Sequence, residues 1–328
     1  MDTIYVEKAI RDHESVAAIR TKYPKAREIS CDRYGEVFNP AAQNFRIQKK
    51  RPALILAEKH GRAVLPTPPD YTIGRTDNFY FSHMLNCLYD CRYCFLQGMY
   101  RSANYVHFIN FEAFERGIDE VRAETEAPCF FSGYDCDSLV MEPLTGFAEH
   151  FVPFFAERPD AWLELRTKSI QTRVLENHDP LPNVIVAYTI TPDTIAREVE
   201  HSATLFKHRL NRVRSLSQQG WPIGLRLDPL IPWPNFRTLY REMIDEIFAA
   251  VDAEAVHSVT LGPMRFPKAM YERIVKLYPD DPLFALRETE LRNGQMTYPE
   301  EIECDLVDTV MDQLREHLPE SRLFPQTG

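Results

Sequence analysis

Three cysteines lie within eight residues of this chain, in the pattern Cys87-x-x-x-Cys91-x-x-Cys94. Thiolates bind soft metals, and an iron–sulfur cluster held only by protein normally uses four of them. Three thiolates at this spacing suit a [4Fe–4S] cluster whose fourth iron stays open. An open iron can chelate a small molecule, and the amino and carboxylate groups of S-adenosylmethionine (SAM) would suit it. The motif therefore predicts a redox-active cluster with a bound cofactor.

Two other uses of these cysteines are less favoured by the sequence. A zinc site usually shows two paired hooks, but the other cysteines are scattered through the chain, and a Cys3His site completed by His83 would have unusual spacing. A disulfide framework is disfavoured by the odd count of seven cysteines and by the absence of a secretory signal. The cluster remains the favoured interpretation.

The cysteine motif resembles that of the radical SAM enzymes, whose last cluster cysteine follows an aromatic residue, here Tyr93. The resemblance implies reductive cleavage of SAM to methionine and a 5′-deoxyadenosyl radical. Such a radical attacks almost any C–H bond, so we expect an enclosed site that orients the cofactor and excludes water.

Composition limits the location of the protein. The chain has 328 residues, 44% of them apolar, which is enough for one large α/β domain with appendages. Its apolar runs are too short to span a bilayer, so no membrane association is expected. The first residues, MDTIYVEKAIRDHE, are too charged for a signal peptide. We expect a reducing, cytoplasmic location.

The charge is uneven along the chain. The formal net charge is −10, yet residues 1–65 carry 13 Lys and Arg against 8 Asp and Glu. A basic segment, Arg46-Ile-Gln-Lys-Lys-Arg51, contributes most of this excess. Such a segment could meet phosphates or could be a solvated helix face, and charge alone favours the solvated face.

The elements that must position this chemistry follow an alternating pattern. Six short apolar segments, each followed by a polar or helix-like segment, predict a parallel sheet with right-handed crossovers, curled into a partial (β/α)6 barrel. The strands are expected at 80–85, 128–134, 162–168, 183–190, 222–231 and 257–266. A long helix is expected over 191–220.

The flanking regions predict two appendages. Residues 5–28 read as one or two helices, and Asn293-Gly294 predicts a small hairpin before a closing amphipathic helix. We therefore divide the chain into an N-terminal extension (1–75), a partial barrel (76–270) and a closing segment (271–328).

Polar residues follow the predicted strands, where a parallel sheet of this kind gathers its functional groups. They are Tyr134, Asp135, Cys136, Asp137, Arg166, Lys168, Thr189, Thr191, Arg226, Asp228 and Arg265. Among them we take Cys136, Asp137, Lys168 and Thr189, together with Tyr93, as cofactor-binding candidates. Lys168 could pair with the carboxylate of SAM or be a surface lysine, and Tyr93 could contact adenine or pack in the core.

The resemblance extends beyond the cysteines to the spore photoproduct lyase family of radical SAM enzymes. The segments that carry it run in matching order from about residue 40 to 320: FRIQKKRPALILAEKHG, CRYCFLQ, CDSLVMEPLTG, ELRTKS, GWPIGLRLDPLI and MRFPKAMYERIVKLYP. It implies a partial barrel, a [4Fe–4S] cluster on Cys87, Cys91 and Cys94, SAM held in part by Lys168, and a thymine-dimer photolesion in DNA as substrate.

The sequence departs from the family pattern at three positions near this site. The family's cysteine that returns a hydrogen atom to the product is replaced by Tyr134, and Cys136 stands where the family has a serine that helps to bind SAM. A tyrosine that helps to recycle the radical is replaced by Phe95, while its partner Tyr93 is retained. Tyr134, Cys136 and Tyr93 are therefore the catalytic candidates. The predicted hairpin also lacks the arginine that in the family enters the DNA.

The resemblance predicts a carbon–carbon lyase that repairs UV-damaged DNA and receives electrons from a reductant such as flavodoxin or ferredoxin. The alternative is a radical SAM enzyme of the same fold acting on a small metabolite, a peptide or RNA. A third class, a non-catalytic iron–sulfur or zinc protein, would need neither a SAM pocket nor polar strand ends.

Overall fold

The computed structural model describes residues 1–38, 41, 43–68, 71–285 and 288–326. The strands are β1 (Thr3–Glu7), β2 (Arg27–Cys31), β3 (Leu54–Ala57), β4 (Val64–Pro66), β5 (Asn78–Phe81), β6 (Met84–Leu85), β7 (Asp90–Cys91), β8 (Tyr105–Phe108), β9 (Cys129–Phe131), β10 (Trp162–Thr167), β11 (Val184–Thr189), β12 (Glu200–His201), β13 (Ile223–Leu230), β14 (Val256–Pro263), β15 (Phe266–Pro267), β16 (Glu290–Arg292), β17 (Gln295–Thr297) and β18 (Leu323–Pro325).

The helices are α1 (Glu14–Lys22), α2 (Gly35–Phe38), α3 (Phe45–Lys50), α4 (Leu96–Met99), α5 (Phe111–Glu124), α6 (Glu142–Thr145), α7 (Phe147–Ala156), α8 (Arg173–Glu176), α9 (Asp193–Val199), α10 (Phe206–Gln219), α11 (Phe236–Ala250), α12 (Lys268–Leu277), α13 (Pro282–Ala285) and α14 (Glu300–Arg315). Within this part of the chain, no helix combines the length and the apolar character needed to cross a membrane.

The larger sheet is the predicted partial barrel. Its order is β18-β14-β13-β11-β10-β9-β5-β4, and every neighbouring pair from β5 to β18 is parallel. All six predicted strands are present as β5, β9, β10, β11, β13 and β14, with helices between them. The predicted fold class, an α/β partial barrel, is confirmed. The carboxyl ends of these strands therefore meet at one edge.

Alternation along β10 places apolar and charged side chains on opposite faces of the sheet. On β10, Leu163 and Leu165 belong to the main hydrophobic core, which also includes helix residues such as Phe151. Glu164 lies between them, faces the other way and is fully buried, with one carboxylate oxygen 2.7 Å from Arg226 Nη2. Buried charges of this kind need a partner, and this pair supplies one inside the barrel.

The expectation of helices over residues 5–28 is wrong at both ends of that range. The segment folds as β1, α1 and β2, because the sequence TIYVE alternates and buries Ile4 and Val6 on one side. β1 joins a second sheet of order β2-β1-β3-β8-β6. This sheet takes strands from both sides of residue 75, and the division of the chain into three parts stays a prediction.

The long helix expected over 191–220 is interrupted. α9 ends at Val199, and α10 begins at Phe206, whose backbone N–H donates to Asp193 (2.8 Å). Between them, β12 pairs antiparallel with β7, so that Glu200 lies opposite Cys91. The break therefore brings a second segment of chain to the cysteine motif.

The closing segment contains the predicted hairpin and helix. β16 and β17 pair across Asn293 (φ 50°) and Gly294 (φ 80°), the left-handed pair that a tight two-residue hairpin requires. α14 packs against α11. β18, which was not predicted, adds a parallel strand beside β14.

Candidate active site

The cysteine motif occupies the loop between β6 and α4. Asn86 starts the loop in the left-handed region (φ 69°), and its side chain donates to the carbonyls of Ser102 and Asn104 (2.8 and 2.7 Å). The Cys94 N–H donates to the Cys91 carbonyl at 3.1 Å, which closes a tight turn. Cys91 is 3% exposed, while Cys87 is half-buried. The three thiols are thus carried on one short, well-bonded loop.

Two outside segments hold this loop, which we call the cysteine loop (residues 86–96). Lys49 of α3 donates through Nζ to the carbonyls of Cys87 (3.1 Å) and Tyr89 (3.4 Å). From the other side, the Arg92 N–H donates to the Val199 carbonyl at 2.8 Å. The basic segment therefore contributes one half-buried lysine to the loop. Arg46, Lys50 and Arg51 stay exposed, as expected for a solvated face.

Each of the three cysteines can supply one ligand to a metal cluster. Among the described residues, no three His, Cys, Asp or Glu side chains lie close enough to hold one metal ion. His83, the proposed zinc ligand, stacks on Phe147 at 3.8 Å instead. A [4Fe–4S] cluster makes a different demand, because each thiolate binds its own iron. Burial raises the pKa of all three thiols, that of Cys91 to about 12, so they need bound cations to ionise.

A buried charge network lies beside the cysteine loop. Glu200 accepts hydrogen bonds from the Tyr93 hydroxyl and from Arg209, which also donates to the Thr189 carbonyl at 2.9 Å. Burial opposes ionisation of Glu200, but Arg209 and Lys168 outweigh it and the pKa of Glu200 is lowered. The network fixes the ring of Tyr93, and it fixes the strand end at Thr189.

Lys168 reaches the same place from the end of β10. Its Nζ lies 5.3 Å from the centroid of the Tyr93 ring. Burial disfavours its charge, but Cys91 and Glu200 favour the ammonium more strongly, so the pKa of Lys168 is raised. No hydrogen-bond acceptor for Nζ is found among residues that the structure describes. A charged, half-buried donor without a partner is suited to bind a carboxylate.

Asp137 is engaged by the protein itself. Its carboxylate accepts the backbone N–H groups of Leu139, Val140 and Lys168, as well as the hydroxyl of Thr167, all at 2.7–3.0 Å. These bonds join the loop after β9 to the end of β10 and thereby orient Lys168. Its predicted contact with the cofactor, like that of Thr189, stays a prediction.

The catalytic candidate Tyr134 lies in the loop after β9, where it belongs to an aromatic group. Its ring stacks on Tyr80 of β5, with centroids 4.2 Å apart and planes at 27°. Phe95 of the cysteine loop lies 5.5 Å from Tyr134 in a tilted arrangement. Burial raises the pKa of both tyrosines, and the charge of Asp135 adds to it. Both hydroxyls therefore keep their protons at neutral pH.

Cys136 has different surroundings. Its Sγ lies 3.8 Å from His83 Nδ1 and 3.7 Å from the Ser132 carbonyl, and the residue packs with Met84 and Tyr105 beneath the second sheet. Burial keeps the pKa of this thiol well above its usual value. It is a protonated thiol in an apolar core, in contrast to the half-buried phenol of Tyr134.

Several of the remaining strand-end residues form hydrogen bonds or ion pairs within the protein. Asp135 accepts from Ser82 (2.6 Å) and Tyr100 (3.2 Å), and burial raises its pKa. Asp228 is paired with Arg265 at 3.3 Å. Arg166 and Arg226 share the buried Glu164. The acidic side chains at this edge are therefore bonded or charge-balanced.

Sequence reasoning missed four residues of the site: Lys49, Tyr80, Glu200 and Arg209. One signal was available, since Arg209 lies at helical spacing from the apolar Phe206, Leu210 and Val213 and thus falls on the buried face of α10. A charge on a buried face calls for a buried partner. Lys49 belongs to the basic segment noted in the sequence, but its contact with the cysteine loop is not visible there. No local pattern marks Tyr80 or Glu200.

Comparison with known proteins agrees with this architecture. The family model for spore photoproduct lyase matches residues 78–326. The curated spore photoproduct lyase of Bacillus subtilis (strain 168) is 22% identical over 198 residues, which is 59% of this chain and 58% of that protein. The match thus spans less than two thirds of the length of this relative.

Solved structures match over nearly the whole chain. A spore photoproduct lyase mutant with bound AdoMet and dinucleoside spore photoproduct aligns with a TM-score of 0.83 and 16% identity, over 99% of this chain and 97% of that one. Spore photoproduct lyase complexed with the dinucleoside spore photoproduct aligns with a TM-score of 0.82 and 17% identity, over 100% and 98%. Since the family model covers most of the chain, the protein belongs to the spore photoproduct lyase family.

Proposed function

We propose that this protein is a radical SAM enzyme that repairs a thymine-dimer photolesion in DNA by carbon–carbon bond cleavage. The observation that carries the proposal is the position of the Lys168 ammonium, which lies beside the cysteine loop and has no hydrogen-bond acceptor among the described residues. One side of the site thus offers three thiolates for a cluster, and the other offers a cation for a carboxylate. Relatives of the same fold bind AdoMet and the dinucleoside spore photoproduct, which supports both assignments.

In this proposal the cysteine loop holds a [4Fe–4S] cluster, and Lys168 binds the carboxylate of SAM. When bound, the two groups together supply a carbon radical that removes one hydrogen atom from the substrate. Tyr93 provides a ring surface beside the cofactor, with its hydroxyl fixed by Glu200. Asp137 positions Lys168 through its backbone N–H. Thr189 lies at the same strand-end edge. Its backbone carbonyl accepts a hydrogen bond from Arg209, which fixes its position.

The residue that returns a hydrogen atom to the product is proposed to be Tyr134. Its phenol is half-buried at the strand-end edge and next to Phe95 of the cysteine loop. Cys136, the other candidate donor, is 7% exposed, and its Sγ faces His83 and the Ser132 carbonyl. A thiol in that position is better suited to pack beneath the site than to meet a substrate.

A DNA substrate is compatible with the charges at the strand-end edge. Three aspartates could repel phosphates there, but Asp137 is bonded to N–H groups, Asp228 is paired with Arg265, and Asp135 accepts two hydroxyls. A damaged base also leaves the duplex at a lower cost than an intact one. These points remove an objection to a DNA substrate, and the dinucleoside spore photoproduct bound by a related structure favours the lesion over a metabolite, a peptide or RNA.

The test is the formation of 5′-deoxyadenosine by anaerobically reconstituted protein with SAM and dithionite, with and without DNA carrying the spore photoproduct. Strong stimulation accompanied by loss of the lesion is expected. Slow formation that is indifferent to the lesion would instead favour a different substrate. Repeating the assay with flavodoxin or ferredoxin in place of dithionite tests the proposed reductant, and fractionation of cells tests the cytoplasmic location.

A further inference from the structure

Tyr80 is the phenol that contacts the proposed hydrogen donor, and no motif singles it out. It lies on β5, where its register partner is Phe131 at the end of β9. Tyr134 follows β9 by three residues, so the pairing of these two strands sets the stack. The two rings are only 27° from parallel, with centroids 4.2 Å apart. Such a contact allows electronic exchange between the rings and keeps them in register.

Phe95, the third member of the aromatic group, cannot take part in a hydrogen-atom relay. Phe95 contacts Tyr134 from the cysteine loop, but it has no O–H group. A relay of hydrogen atoms cannot pass through that ring. Tyr80 contacts Tyr134 from the sheet and supplies the hydroxyl that Phe95 lacks.

Neither hydroxyl of the pair is committed elsewhere. In the described part of the chain, no hydrogen-bond partner is found for Tyr80 or Tyr134, whereas Tyr93 donates to Glu200 and Tyr100 donates to Asp135. Burial and the nearby charge of Asp135 raise the pKa of both phenols. Two protonated, uncommitted phenols in ring contact are a suitable source of hydrogen atoms.

We propose that Tyr80 is a relay residue that restores Tyr134 after each turnover, an inference that rests on the proposed function. First, the O–H bond of Tyr134 breaks, and its hydrogen forms a C–H bond on the product radical. Tyr134 is left as a phenoxyl radical. Tyr80 then gives one electron across the stack and loses its hydroxyl proton to solvent, while a proton from solvent re-forms the O–H bond of Tyr134. Finally, one electron from a one-electron reductant and one proton from solvent return Tyr80 to the phenol.

The experiment compares Tyr80→Phe and Tyr134→Phe in the reconstituted enzyme. Both substitutions keep the ring, so packing is conserved. We expect Tyr80→Phe to repair one lesion per enzyme at the normal rate and then stop, with a persistent tyrosyl signal in the electron paramagnetic resonance spectrum. Tyr134→Phe should lose this first turnover as well. Tyr271→Phe is the matched control, because the Tyr271 hydroxyl contacts Thr289 and belongs neither to the Tyr80–Tyr134 stack nor to the Glu200 network. Sustained turnover of Tyr80→Phe at the wild-type rate would overturn the proposal.

A second measurement separates this inference from the proposed function. The metal-free protein is oxidised by one electron with a photosensitiser and frozen, and the spectrum is recorded with ring-deuterated tyrosine as a label. A radical shared by the stacked pair should change when either Tyr80 or Tyr134 is replaced by Phe, but not in Tyr271→Phe. A spectrum unchanged in both variants would contradict the relay, whatever the substrate proves to be. Failure of the wild type to repair the lesion, with the shared radical intact, would contradict only the proposed function.

Discussion

The cysteine loop and the aromatic group at Tyr134 meet at Phe95, yet they are built in opposite ways. The loop is held by directional bonds, from Lys49 on one side and from the Val199 carbonyl on the other. The aromatic group is held by ring contacts, and its two hydroxyls have no partner in the described residues. Hydrogen bonds keep the cysteine loop in one geometry. Phenols without a hydrogen-bond partner can instead give up their hydrogen atoms. The cysteine side of the site is therefore held by hydrogen bonds, whereas the Tyr134 side is held by ring contacts alone.

The largest effect is expected from the loop itself. Cys91→Ala removes one of the three thiolates, and we expect reconstituted protein to lose its bound iron and sulfide and all formation of 5′-deoxyadenosine. Iron and sulfide analysis checks this directly. Cys304→Ala is the matched control, because Cys304 is exposed on α14. Full cluster content in the Cys91 variant would break the assignment of the loop.

The second-largest effect is expected when the charge network of Glu200 and Arg209 beside the cysteine loop is broken. Arg209→Met leaves Glu200 buried without its partner, and breaking such a pair costs about 3–5 kcal/mol. Urea denaturation measures the loss of stability. As a control, Arg237→Met breaks an ion pair with Asp305 that is largely exposed, and we expect a loss of about 0–1 kcal/mol. If the two variants lost the same free energy of unfolding, the distinction between the buried and the exposed ion pair would be wrong.

The same pair predicts a pH dependence. The pKa of Glu200 is lowered in the folded protein, so its contribution to stability is present above the ordinary pKa of a glutamate and is lost as pH falls through the folded value. In Arg209→Met, the buried carboxylate should instead favour its protonated form. Lowering the pH from neutral should therefore narrow the difference in unfolding free energy between the two proteins. A difference that widens would contradict the assigned charges.

A smaller effect is expected for cofactor binding. Lys168→Met removes the proposed partner of the SAM carboxylate, and a charge-assisted bond contributes about 1.5–3 kcal/mol, or about 10- to 150-fold in affinity. Calorimetric titration of the reconstituted protein with SAM measures it. Lys276→Met, at an exposed position of α12, should leave the affinity unchanged. Unchanged affinity in Lys168→Met would remove this residue from the site.

The smallest effect is expected for Lys49, which binds two backbone carbonyls of the cysteine loop. Lys49→Met deletes the bonds from one ammonium to two half-buried carbonyls, and we expect a loss of about 0.5–1.5 kcal/mol. We expect faster release of iron to a chelator with little change in the initial iron content. Lys50→Met tests the neighbouring exposed lysine and should release iron at the wild-type rate. If Lys50 mattered as much as Lys49, the basic segment would act through its charge alone.

Sequence predicted the elements whose signals are local. The cysteine spacing, the six alternating strands and the Asn293-Gly294 turn depend on neighbours in the chain, and the structure contains all three. The N-terminal strands were missed although TIYVE alternates, because this alternation covers only five residues and the pairing of β1 with β2 and β3 is not visible in the local pattern. The interruption at Glu200 was missed because its cause is tertiary, namely the pairing of β12 with β7.

The site was predictable to a similar extent. Lys168 and Tyr134 were placed at strand ends by pattern, and the structure puts them there. Their roles stay predictions, as do those of Cys136, Asp137 and Thr189. Glu200 and Tyr80 could not be predicted, because they reach the site only through contacts between segments that are distant in the sequence.

The pairing of β7 with β12 also has a consequence for the order of events during synthesis. Cys91 leaves the ribosome long before Glu200, its partner in that pair. At about 5–20 residues per second, the delay is about 5–20 s. Lys49 precedes the loop and can bind it at once, but the second edge of the loop stays open until residue 200 has emerged. We therefore expect delivery of the cluster to follow translation of the barrel rather than to accompany that of the loop.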